Sequence, residues 1–381
     1  MEVRVHSKHK KCFVYNPSQQ KAFFDYNPID SVVPIVNTTE AATNSTILRE
    51  TLNEGDRFIA TKCGVRLYLR RSSSSCTPSS STQQNSIHME EFDNYSTSLL
   101  KSNLQKAVRR QNVAVALQSA LLLLQREPME FLRRLPILYV EDVALMDSIT
   151  ICVWLLMADR EYSMTSSDIA LLLDIVRRLC ECSQFYDDSS DEDVPPMKHE
   201  DIESSSQADA ILAVHYRSLY GGMKGDMRML RRAVYHYKDH PEEVHRHGEF
   251  QPIDWTLLFP PSSSFETLST TPTINILPAA IDFHPFPQLI GVLQQQTGLQ
   301  DGERIKSCIW LADSALNGRK ASTVEAARQC RASADWKRIR PHIDRARAMM
   351  IPPPRGKRPS SEAGERDSGK RAHYASKPAP L

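Results

Sequence analysis

Apolar residues recur at helical spacing most densely between Ser96 and Ala158. Leu100, Leu104, Ala107 and Val108 share one face of a helix predicted over 98–110, while Lys101, Gln105, Arg109 and Arg110 fall off that face. Ser96 or Thr97 is placed to cap its start, and Gln111-Asn112 breaks the run. A second helix, from about Val113 to Gln125, is apolar on almost every side. Its four consecutive leucines, Leu121 to Leu124, span more than one turn and cannot all face one neighbour. The helix is therefore expected at the centre, covered by helices at 98–110, 137–146 and 148–158. Pro128 suits the first turn of a third helix, which Pro136 is expected to end or kink. A fourth element, Ile137 to Met146, holds Glu141-Asp142 among apolar residues, and a fifth, 148–158, is apolar again.

The pattern changes on either side. Lys11 to Tyr15, Arg57 to Ala60 and the alternating run Val65 to Arg70 read as strands, with Asn-Pro turns at 16 and 27. Beyond the apolar block, Ile169, Leu172, Leu173, Val176 and Leu179 continue the helical period, with Asp168 in the first turn. A helical pair is predicted over 207–219 and 227–237, joined by Tyr220-Gly221-Gly222-Met223-Lys224-Gly225-Asp226. There Gly221-Gly222 closes the first helix and Asp226 is placed to cap the second; N–H groups at a helix start suit a phosphate, but Asp226 would repel one and no strand precedes the loop, so a structural turn is expected. Further helices are expected near 286–298, 301–314 and 323–350. No β/α alternation appears, so the fold class is mainly α: a multi-helix bundle with a small N-terminal β-containing region and disordered linkers and tail. The expected organisation is a β-containing region over 1–71, a Ser-rich linker over 72–95 and a helical block over 96–183. An acidic loop over 184–206, a helical pair over 207–258 and an extended segment over 259–280 follow. A helical region over 281–350 and a basic tail over 351–381 complete the chain.

Charge alters this picture only locally, because 47 Lys and Arg nearly balance 46 Asp and Glu. Residues 187–203 carry 8 acidic side chains against 1 basic, which reads as a solvated loop. The 8 cysteines include no C-x-x-C, and several fall in apolar helices, where a free thiol behaves as a small hydrophobe. A reducing, intracellular setting is expected. Lys357-Arg358 and Lys370-Arg371 resemble a bipartite nuclear import signal, with a cytoplasmic location as the alternative. No apolar run is long enough to span a bilayer, so no membrane partner is expected.

Candidate chemistry is sparse. No G-x-x-x-x-G-K-[ST] or G-x-S-x-G occurs, so no catalytic residue and no cofactor is assigned, and an enzyme of unrecognised type stays a third reading. Lys224, Arg228, Arg231 and Arg232 on one helix, and Lys337, Arg338 and Arg340 beside Trp336 on another, are candidate phosphate contacts for DNA. His236 and His240 lie one helical turn apart, with His245 and His247 close behind. Pro241 and a solvated setting speak against them as metal ligands, and Cys180 and Cys182, two apart on a helix, do not face each other as a metal or redox pair, so no metal is assigned. Glu141 and Asp142 are expected to pair with Arg133 or Arg134, since buried carboxylates need partners.

One resemblance rests on Leu104-Gln105-Lys106-Ala107-Val108-Arg109-Arg110, Ala116-Leu117, Phe131-Leu132-Arg133-Arg134-Leu135 and Glu141-Asp142-Val143. In order and spacing, residues 96–158 resemble the helical collar that follows the ATPase core in clamp-loader-like AAA+ proteins, the replication-associated recombination protein and Werner-helicase-interacting ATPase family. The resemblance implies a packing and assembly module without the nucleotide-binding core. Its expected role is protein interaction or self-association through helical surfaces, connected with DNA replication or repair. Direct nucleic-acid binding is the alternative.

Overall fold

The computed structural model describes residues 12–25, 56–70, 95–187, 192–202, 207–253, 274–283 and 286–351. Among them the chain forms four strands and twelve α-helices, so it is mainly α with a small N-terminal sheet. The linker expected over 72–95 apart from Tyr95, most of the segment expected over 259–280, and the tail expected over 351–381 apart from Ile351 fall outside the described residues.

The sheet is built from β1 (Cys12–Asn16), β2 (Lys21–Asp25), β3 (Asp56–Lys62) and β4 (Val65–Arg70), in the order β2-β1-β4-β3. β1 and β2 are antiparallel across a short turn that Asn16 caps by accepting from the Gln19 N–H, and β1 runs parallel to β4. β3 and β4 form a hairpin at Cys63-Gly64, where both residues have positive φ. Such a tight reversal is where glycine is favoured. β2 was not expected, because KAFFD shows only two aromatics between charges. Alternate residues Phe13, Tyr15, Phe24, Val65 and Leu67 enter the main core, as a period of two requires.

Five helices follow: α1 (Thr97–Arg109), α2 (Val113–Arg126), α3 (Pro128–Asp142), α4 (Ile149–Ala158) and α5 (Ser166–Glu181). Ser96 caps α1 through the Leu99 N–H, and Asn112 caps α2 through the Val115 N–H. Pro136 does not end its helix. α3 continues through it to Asp142, so the separate element expected over 137–146 is the second half of α3. Proline removes one donor, but both halves of α3 bury apolar residues, and that burial outweighs the lost bond. Leu121, Leu122, Leu123 and Leu124 are all buried. Their cover differs from expectation: α2 packs on α1, α3 and α5, while α4 turns to α3, α7 (Ala208–Tyr220) and the sheet. Leu122→Ala or Leu123→Ala is expected to cost about 2–5 kcal/mol in urea unfolding, as transfer and cavity terms add. A loss below about 0.5 kcal/mol would place the side chain at the surface.

The sheet and helices share one continuous core. Trp154 of α4 donates its indole N–H to the Phe13 carbonyl at 3.0 Å and packs on Tyr15 and Tyr162. Tyr15 donates to Asp168 at 2.6 Å, and Asp168 also completes a capping box with Thr165 at the start of α5. Phe24 stacks between Phe13 and Tyr216, and its N–H donates to Asp209 of α7.

The acidic stretch is anchored rather than wholly solvated. Tyr186, Met197 and Ile202 are buried, and the Tyr186 N–H donates to the Val143 carbonyl. Ile202 ends the single turn α6 (His199–Ile202). A few well-spaced apolar residues are enough to tie a polar segment to a body already folded. α7 and α8 (Lys224–Asp239) pack as a pair, with Gly221 ending α7 at φ 98°. Met223, not Asp226, precedes α8, and Asp226 lies inside its first turn.

The last block contains α9 (Phe286–Thr297), α10 (Gly302–Ile309), α11 (Ala321–Ala332) and α12 (Ala334–Ala348). α10 runs into a π-helical turn, Trp310–Ser314, closed by the Ala315 N–H on the Trp310 carbonyl. The helix expected over 323–350 is interrupted at Ser333, whose side chain caps α12 through the Trp336 N–H. Leu289, Leu293, Ile305, Ile309, Trp336, Ile339 and Ile343 give this block a core of its own.

Candidate functional site

The carboxylates at 141–142 are satisfied mainly from α1. Arg109 donates through Nε to Asp142 and through Nη2 to Glu141 at 2.9 Å, while Gln105 donates to Asp142 at 2.8 Å. Arg134 reaches Glu141 at 3.8 Å, but Arg133 pairs with Glu130 instead, at 3.6 Å. The expected partnership with Arg133 is thus corrected, and Arg109, expected off the apolar face, is only 8% exposed. Burial, with Asp142 beside it, pushes the Glu141 carboxyl above the usual range. The helical period alone could not find this network, because α1 buries two faces: an apolar one against α2, and a polar one against α3 and the C-terminal block.

That polar face forms the joint with the C-terminal block. Lys106 donates to the Ser314 carbonyl at 2.7 Å, Arg110 pairs with Asp313 at 2.5 Å, and Asn317 donates to the Asp142 carbonyl at 2.9 Å. Arg319 donates to the carbonyls of Val108, Leu179, Cys180 and Cys182, which closes the C-terminus of α5. Asp282 holds Ser314 and Arg347, and Arg347 also reaches Asp313 at 2.8 Å. Burial, reinforced by Arg109, lowers the Lys106 pKa to about 8. Below that pH the folded chain carries the ammonium at a cost. As pH rises towards the usual lysine range, the folded chain releases the proton before the unfolded chain does, so stability rises. Relative to Lys106→Met, the wild type is expected to gain about 2 kcal/mol between pH 7 and 10, read from urea midpoints. A pH-independent difference would place Lys106 in water.

The joint carries apolar side chains at the surface. Trp310 and Leu311 on the π-helical turn are 49% and 39% exposed, and Val324 on α11, which packs against that turn, is 43% exposed. Beside Val324 runs a groove of about 570 Å³, lined by Leu316, Gly318 and Ala327 and rimmed by Arg110, Arg328 and Arg331. The sequence signal for this surface is slight: a Trp-Leu pair inside an otherwise ordinary helix.

The basic residues divide. On α12, Lys337, Arg338 and Arg340 are exposed, with Arg338 donating to the Thr297 carbonyl, whereas Arg347 is buried in the joint. On α8, Lys224 and Arg228 are exposed, but Arg231 and Arg232 are half-buried. Arg231 meets Asp193 at 3.6 Å and the Val194 carbonyl, and Arg232 donates to the Glu192 carbonyl. The acidic segment therefore lies over this face of α8, which does not present its four cations together.

The four histidines do not share one site: the His236 and His240 rings lie 4.9 Å apart, and His240 falls with Glu242 and Glu243 in a group whose ligand atoms are within 4.8 Å of one another, whereas His245 and His247 lie elsewhere. His236 bonds Glu243 at 2.7 Å, and His240 faces Glu242 at 3.6 Å, in an exposed cluster. His245 instead forms a β-bridge with Met146, and His247 is buried. His247 bonds Ser148 through Nδ1 at 3.1 Å and Asp174 through Nε2 at 3.0 Å. This chain of Ser, His and Asp was invisible in the sequence, since its members stand 26 and 73 positions apart. Ser148 is buried and shares its hydroxyl with Tyr139, and Asp174 is also held by Arg177 and the Gln251 N–H. The N–H groups of Ile149, Thr150 and Ile151 already donate to the carbonyls of Met146, Asp147 and Ser148. The arrangement latches segment 245–251 to α4 and α5, and those three N–H groups are not free to meet a developing oxyanion.

No protein-family model, curated protein or solved structure matches the chain. Among the described residues, no helix is long and apolar enough to cross a membrane.

Proposed function

We propose that this chain is a non-catalytic protein-interaction or assembly module, acting in DNA replication or repair in the manner of the collar that residues 96–158 resemble. The observation that carries the reading is the exposed Trp310-Leu311 pair on a π-helical turn whose far end is held by the buried joint. π-Turns are frequent at functional sites, and apolar side chains held rigidly at the surface mark contact sites. In light scattering across a concentration series, the wild type is expected to exceed the mass of one copy, with little dependence on salt. Trp310→Ala with Leu311→Ser is expected to reduce it to one copy. A single-copy mass at every concentration would overturn self-association through this surface.

A second reading, direct nucleic-acid binding, is supported by the exposed Lys337, Arg340 and Arg345 of α12, none of which pairs with a described carboxylate. It requires duplex affinity that falls steeply with salt, because phosphate contacts release counterions. Lys337→Gln with Arg340→Gln should then weaken binding and flatten the salt slope.

A further inference from the structure

We propose that the cavity between α1, α3 and the α7–α8 turn binds a small phosphate-bearing ligand. Three stretches of sequence meet there: Lys101 and Gln105 of α1, Arg133 and Arg134 of α3, and Gly221-Gly222-Met223 with Arg217 of α7. The cavity measures about 340 Å³, enough for a phosphate ester with a short organic group.

Arg217 is the central observation. It is only 3% exposed, lines the cavity and pairs with no carboxylate among the described residues. Its Nη1 donates to the Gly221 carbonyl and its Nη2 to the Arg133 carbonyl, both at 2.9 Å, while its Nε has no partner. Half-buried Arg134 is better supplied: its Nε has no partner, but its Nη2 donates to Gln105 and lies 3.8 Å from Glu141, a carboxylate it shares with Arg109. A buried guanidinium lacking an anion is costly, and fork-shaped donors suit phosphate oxygens.

The charge balance points the same way. Lys101, Arg133, Arg134 and Arg217 line the cavity with Glu130 and Asp226, and Glu141 behind it offsets Arg134, which leaves an excess of one positive charge for a phosphate anion to neutralise. Glu130 is already engaged by Lys101 at 2.6 Å and by Arg133. The 16-residue helix α8 begins at this cavity without a side-chain cap, so its positive end is open to an anion. Gly222 lets the turn close over the guanidinium: a Cβ there would lie 3.1 Å from the Met227 methyl and 3.8 Å from Arg217 Nη2. Of the two lining carboxylates, Glu130 is held by Lys101 and Arg133, whereas Asp226 makes no salt bridge among the described residues, opposes the ligand and supplies the sharpest test.

Isothermal titration of the full chain with inorganic phosphate and with glycerol 3-phosphate, against sodium chloride of equal ionic strength, reads the site. Saturable binding of both phosphates at one site is expected. Arg134→Gln should weaken it by about tenfold or more, the loss of a charge-assisted hydrogen bond. Asp226→Asn should tighten it by about threefold or more, by removing a like charge. Circular dichroism confirms that both variants are folded. The proposal is overturned if neither phosphate binds saturably, or if Arg134→Gln and Asp226→Asn leave affinity unchanged. It is also overturned if only duplex DNA binds and Arg134→Gln reduces that binding. The site is independent of Trp310 and Leu311, so their double substitution should leave phosphate affinity intact.

Discussion

Asp142→Ala is expected to cost about 3–5 kcal/mol in urea unfolding, one of the two largest single effects foreseen for this chain. Asp142 is 1% exposed and accepts from Arg109 and Gln105, so truncation leaves a buried guanidinium facing Glu141 alone. The cost is the penalty of an uncompensated buried charge and exceeds the net worth of the pair. A second measurement separates these terms: Arg109→Met combined with Asp142→Leu removes both charges and should recover most of the loss. If the double change is as damaging as the sum of the singles, the network acts through geometry, by holding the Asp142 carbonyl for Asn317, and the charge argument fails.

Trp154→Ala is the other large effect, about 3–5 kcal/mol. Trp154 is fully buried at the seam between sheet and helices. Its removal opens a cavity against Tyr15 and Tyr162 and leaves the Phe13 carbonyl without the indole donor. Trp154→Phe keeps much of the volume but not the donor, so it should cost less, about 1–3 kcal/mol. If both changes prove nearly neutral, the sheet is not docked on α4 through this residue. The same seam changes what the helical block needs. Residues 96–183 show continuous helical period, yet their core runs on into Phe13, Tyr15 and Phe24, which no periodicity inside the block discloses.

The helices of the first block were legible because burying one apolar stripe dictates a 3.6-residue period. The mostly apolar α2 declared its burial through Leu121 to Leu124; Ser96 was legible as a cap, Asn112 as a break and Asp168 as a first-turn carboxylate, and the fold shows all three accepting backbone N–H groups. In the sequence Pro136 reads as ending or kinking its helix, and the helix does not end there because burial along both halves of α3 outweighs the missing donor. Glu141 and Asp142 announced that they needed partners but not which ones. Arg133 and Arg134 lay nearer in sequence, whereas Arg109, some 32 positions away, lay nearer in space. Likewise, nothing local in Ser148, Asp174 and His247, or in Arg217 and Arg134, foretold that the fold would gather them. Patterns within a helix are set by its own backbone geometry and can be read from neighbours three and four apart. The pairing of charges depends on which helix faces which, and that is settled only when the whole core packs.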